Sequence, residues 1–135
     1  MREVVLLADG PGSRSTMMFA LTMGREVATI TFEDGAICAN AVERNKAAEF
    51  GVVHATHDLA ALLPPDTPVE VRLPLFVSVA LATFAAWSPD SIALGGNISP
   101  DLLETLRRIA APVQVRAPLQ GLEPHEVAHL GKILR

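Results

Sequence analysis

The sequence predicts one α/β domain, a five-stranded mixed sheet whose first three strands are antiparallel, flanked by helices. Three observations predict it. Short apolar runs bounded by Gly, Pro and Asp open the chain, as strands closed by turns do. A helical spacing of apolar residues takes over before the middle, and strand-like and helix-like segments then alternate to the end. With 135 residues, 50% of them apolar and 19% charged, the chain is long enough to bury a core without metal or disulfide staples. A single domain over residues 1–135 is the expectation.

Val4 to Ala8 is a continuous apolar run that stops at Asp9-Gly10-Pro11-Gly12-Ser13, the pattern of a central strand entering a tight turn. Met17 to Met23 and Glu26 to Phe32 read as two further strands joined by a hairpin at Gly24-Arg25. From Ala41 to Leu63 the spacing of Ala48, Val52, Ala55, Leu59 and Leu62 predicts a long helix, ended by Pro64-Pro65. Val69 to Leu73 alternates and is β-branched, which predicts a fourth strand, and Pro74 then opens a helix running to Trp87. Ser99-Pro100-Asp101 combines an N-cap hydroxyl, a proline and an acid at the positive end of a helix that runs to Ala110. Val113 to Ala117 is the fifth strand, and a last helix covers Pro124 to Leu134.

Composition narrows the function classes. Cys38 is the only cysteine, which excludes an internal disulfide and fits a reducing, cytoplasmic setting. The apolar run at the N-terminus is too short for a signal peptide, and the uncharged stretch from Leu73 to Pro89 is too short to span a bilayer. Net charge is −4 and the largest basic cluster is the pair Arg107-Arg108, so the electrostatic footprint of a nucleic-acid binder is missing.

The predicted order, three antiparallel strands, a long helix, a strand, two helices, a strand and a helix, resembles that of the ribonuclease H superfamily. Asp9-Gly10 is similar to the Asp-Gly that ends that family's first strand, and Asn45-Lys46-Ala47-Ala48-Glu49 to its Asn-Asn-x-x-Glu. The resemblance implies that Asp9 and Glu49 are metal ligands. It also shows departures. Pro74, Leu119 and His129 stand where the family has its third carboxylate, its mobile His and its fourth carboxylate. Clamping two hard cations needs several carboxylates, and proline and neutral histidine do not replace them.

The resemblance therefore implies a catalytically degenerate ribonuclease H-like domain, kept as a binding or assembly module, with weak nucleic-acid association at most and no cofactor. The alternative is a divergent metal-dependent nuclease acting on RNA or an RNA–DNA hybrid. It would hold Mg²⁺ or Mn²⁺ on Asp9 and Glu49, with Asp101 or Glu126 completing the site. A further variant brings Asp9, Glu49 and His129 onto one softer ion such as Mn²⁺, Zn²⁺ or Fe²⁺.

Other features have plainer readings. His54 and His57 are three apart on the predicted long helix and share its solvated face. Cys38 reads as a small buried apolar residue. Gly10-Pro11-Gly12-Ser13 offers backbone amides to a phosphate but lacks the Lys-Ser/Thr of a phosphate loop. Gly95-Gly96 reads as a turn. The helix over residues 74–87 has no charge on any face, which predicts either a core helix or a homodimer or partner surface.

Overall fold

The computed structural model describes residues 1–6, 20, 23–33, 53–59, 61–64, 66–95, 98–118, 125, 126 and 129. In chain order the elements are β1 (Arg2–Leu6), β2 (Glu26–Glu33), β3 (Val53–Asp58), α1 (Val69–Thr83), a short 3₁₀ turn (Ala85–Trp87), β4 (Ser91–Leu94), α2 (Pro100–Ala110) and β5 (Gln114–Arg116). The five strands form one sheet in the order β3-β2-β1-β4-β5. Every adjacent pair is parallel: β1 with β2, β1 with β4, β2 with β3 and β4 with β5.

This overturns the mixed sheet with antiparallel opening strands. Arg2 pairs with Glu26 and Leu6 with Ile30 in the same direction, so residues 7–25 must return the chain to the edge at which β1 began. A tight hairpin cannot do that. Ala20 lies in a helix, where a strand over Met17 to Met23 was expected. The Arg25 N–H reaches back to the Ala20 carbonyl at 3.2 Å, and Gly24 sits at φ +77°. That combination is how helices commonly end, with glycine in the left-handed conformation that a side chain disfavours.

Two other assignments change. Val53–Asp58, expected inside a long helix, is the edge strand β3, paired from Ala28↔Val53 to Glu33↔Asp58. Val69 to Leu73, expected as a strand, is the opening of α1, with Arg72 N–H bonded to the Pro68 carbonyl at 3.0 Å. Pro74 therefore lies inside the helix rather than at its start, and Glu70 loses the N–H that position 74 would otherwise donate. The fourth strand is instead Ser91–Leu94, buried along its whole length. By contrast α2 and β5 lie where the sequence places them.

The two faces of the sheet differ in chemistry. Val4, Leu6, Ala28, Ile30, Phe32, Ile92, Leu94 and Val115 point to one side, where Phe76, Val77 and Ala80 of α1 and Leu102, Leu106 and Ala110 of α2 meet them in one core. Phe32 stacks on Phe76 with ring centroids 4.4 Å apart. The apolar α1 is thus a core helix by its own packing, and a homodimer through residues 74–87 has no support from it. The other face carries Glu3, Thr29, Thr31 and Ser91, all buried. Strands buried on both faces read as unbroken apolar runs, as Val4-Val5-Leu6 does.

Candidate functional site

Parallel α/β sheets form their ligand crevices at the carboxyl ends of strands, where the strand order reverses direction. Here the order runs outward from β1 to β2 and β3 on one side and to β4 and β5 on the other. The reversal lies between β1 and β4, which pair from Glu3↔Ser91 to Leu6↔Leu94. The carboxyl ends of these two neighbouring strands are Leu6 and Leu94, followed in sequence by Asp9-Gly10-Pro11-Gly12-Ser13 and by Gly95-Gly96. Below this edge, Ile98 is buried and Ser99 caps α2, its hydroxyl accepting from Leu102 N–H at 3.3 Å. The amino end of α2 is thereby set close behind the carboxyl end of β4.

The polar face of the sheet is locked by one carboxylate. Glu3, 1% exposed, accepts from Ser91 Oγ at 2.6 Å and from an Arg116 guanidinium nitrogen at 2.8 Å, with Arg25 at 3.5 Å. This cluster ties β1 to β4, to β5 and to the residue preceding β2. Thr29, on the same face of β2, has its hydroxyl 3.2 Å from the Val53 carbonyl and 2.6 Å from His54 Nδ1. Thr31 Oγ1, one residue beyond the last β1–β2 rung, is buried and has no hydrogen-bond partner among the described residues.

The candidates from the sequence fall as follows. Asp9, Glu49, Cys38 and Leu119 lie outside the described residues. His129 is helical and exposed, as are Glu126 and, in the first turn of α2, Asp101. His54 and His57 are on a strand, where an odd spacing puts them on opposite faces. His54 faces Thr29, and His57 stacks on Phe32 with centroids 6.0 Å apart and hydrogen-bonds Thr83 at 2.9 Å. They do not form a shared ligand pair. Among the described residues, no group of three or more His, Cys, Asp or Glu could hold a metal ion. None of their helices is long and apolar enough to cross a membrane.

Known proteins with this arrangement share its fold. A 4-thiouridine synthetase, solved in complex with RNA and with ATP bound, superposes with a TM-score of 0.72 at 20% identity, over 98% of this chain and 40% of its own. A predicted subunit of tRNA methyltransferase from Methanocaldococcus jannaschii gives 0.69 at 17% identity, over 98% and 76%. A protein from Pyrococcus horikoshii gives 0.57 at 14%, over 98% and 40%. The likeness is one of fold. The chain spans two fifths of the length of the synthetase it matches. No family model matches the chain, and no curated protein matches it by sequence.

The resemblance to ribonuclease H is withdrawn on the same findings. That fold opens with antiparallel strands, whereas all four pairings among the described strands are parallel, and the synthetase superposes on this arrangement over 98% of the chain. A degenerate ribonuclease H module and a divergent nuclease of that family both fall with it. The sequence reading missed β4, although Ser91-Ile92-Ala93-Leu94 is an apolar run bounded by Pro89-Asp90 and Gly95-Gly96. It also passed over Glu3 and Arg116. An acid directly against the apolar run Val4-Val5-Leu6 of its strand was the signal that a cation had to meet it.

Proposed function

We propose that this domain binds a nucleoside triphosphate, ATP by preference, at the carboxyl edge of the sheet between β1 and β4. The observation that carries this reading is the reversal of strand order there, with both strands running on into glycine-bearing sequence. Glycines at such a position let backbone amides approach phosphate oxygens closely, because no Cβ stands in the way. Asp9, three residues beyond Leu6, is the carboxylate best placed in sequence to meet the Mg²⁺ that accompanies a triphosphate, an ion that takes one or two carboxylates and otherwise phosphate and water. Glu49 and His129 have no part in this reading.

One of the similar structures is named a 4-thiouridine synthetase and holds RNA and ATP, and another is named a predicted subunit of tRNA methyltransferase. An ATP-dependent step in RNA modification is the activity class that fits both, with further parts of the machinery supplied elsewhere, since this chain is far shorter than the synthetase. Calorimetric titration with Mg·ATP tests the reading. Saturable binding, weakened about tenfold by Gly12→Val, is expected, a loss of about 1.4 kcal/mol. Absence of binding in the unaltered protein would overturn it.

A further inference from the structure

A second feature lies at the opposite, amino edge of the sheet. β5 is an edge strand, and beside it is an open groove of about 350 Å³, near the lower end of the size of small-ligand pockets. Arg107, Gln114 and Arg116 supply its polar lining, and Pro112, Val113 and Val115 its apolar wall. Arg107 is in the last turn of α2, whose carboxyl end lies at the amino end of β5. Arg116 reaches the groove from the polar face of the sheet. The lining thus brings together side chains from both sides of the sheet at its open margin.

The charge balance in the groove is positive. Glu3 is one carboxylate shared between two guanidinium groups, Arg25 and Arg116, so that cluster carries one net positive charge. Arg116 spends one nitrogen on Glu3 and has further N–H donors in its fork. The Arg107 guanidinium is exposed and makes no ion pair or hydrogen bond among the described residues, whereas its neighbour Arg108 is paired with Glu104 at 3.3 Å. Asp90, whose backbone carbonyl accepts from the Gln114 N–H at 3.1 Å, has a carboxylate oxygen that accepts from the Arg2 backbone N–H at 2.8 Å. Two positive guanidinium groups stand here in a chain whose net charge is −4.

We infer that this groove binds the phosphate group of a nucleotide unit, with Arg107 as its principal ligand. Guanidinium forks fit phosphate oxygens bidentately, and the Gln114 amide adds a neutral donor. A bare anion would have no use for the wall of Pro112, Val113 and Val115, which suits the sugar and base that a nucleotide carries. The source is a free mononucleotide or one unit of an RNA strand, and the chemistry is the same for both. The inference is independent of the triphosphate crevice, which lies at the other edge.

The test is fluorescence anisotropy of a labelled short single-stranded RNA at low salt, with unlabelled uridine monophosphate and inorganic phosphate as competitors. It is run on the unaltered protein, Arg107→Gln and Arg108→Gln. The two variants lose the same charge from adjacent exposed positions, so non-specific attraction would weaken both alike. Arg107→Gln is expected to weaken RNA or mononucleotide binding about tenfold, the loss of one charge-assisted contact, while Arg108→Gln leaves it unchanged. Binding of a fluorescently labelled uridine monophosphate, measured in the same way, without binding of the RNA identifies a free nucleotide as the source, and RNA binding identifies a strand. Equal losses in the two variants, or no binding of either probe, would overturn the inference.

Discussion

Replacing Glu3 by Gln removes the one carboxylate that, among the described residues, faces both Arg25 and Arg116 in the polar half of the sheet. The substitution keeps shape and the ability to accept from Ser91, so the change is electrostatic rather than steric. Breaking a buried ion pair by removing one partner costs about 3–5 kcal/mol when the remaining charge is sealed from water. Arg116 and Arg25 keep side-chain exposures of 24% and 16%, so both recover part of their hydration. A loss of about 2–3 kcal/mol is therefore expected. For a domain of this length that lowers the melting temperature by roughly 6–12 °C. Urea denaturation followed by far-ultraviolet circular dichroism measures it, with the slope against denaturant unchanged. Adding Arg116→Met to Glu3→Gln should recover part of the loss, since the uncompensated cation is gone. A cost below about 0.5 kcal/mol, in the range of ordinary surface substitutions, would refute the idea that Glu3 anchors the sheet.

Three further outcomes follow from the same geometry. Thr31→Val should stabilise the protein by about 1 kcal/mol in chemical denaturation, because it removes a buried hydroxyl that has no partner among the described residues; a destabilisation of that size would show that the hydroxyl is satisfied. Ser99→Ala should cost about 1 kcal/mol by the same measurement, through loss of the cap on α2. Leu106→Ala, at a fully buried position between α2 and the sheet, should cost about 2–5 kcal/mol and lower the thermal midpoint accordingly.

How far the sequence can be read depends on whether a feature is local. The helix α2 was legible from the hydroxyl of Ser99, the proline after it and the apolar spacing of Leu102, Leu106 and Ala110, all signals within a few residues. β1, β2 and β5 were legible as strands for the same reason. Their direction of pairing was not, since alternation and apolarity are the same for a strand whichever way its neighbour runs. The unbroken apolar run Val4-Val5-Leu6 did carry a hint, because strands buried on both faces belong to parallel sheets.

At Val53–Asp58 the period itself was ambiguous. Ala55 and Leu59 are four apart, which places them on one face of a helix and equally on one face of a strand. At Val69–Leu73 the alternation suggested a strand, but Leu73, Phe76, Val77 and Ala80 continue a helical stripe onto the sheet, and burying it overrides the β preference of two exposed valines. For the candidate site the limit was topological. Gly10-Pro11-Gly12 and Gly95-Gly96 were visible as turns, yet nothing in 85 residues of separation shows that β1 and β4 lie side by side and make those turns neighbours.

The central claim is that the carboxyl edge between β1 and β4 takes a nucleoside triphosphate, and amide chemical-shift mapping during titration with Mg·ATP tests it most directly. Saturable shifts concentrated at Leu6, Leu94, Gly95, Ile98 and Ser99 are expected. Shifts confined to the amino edge, or none at saturating nucleotide, would contradict it.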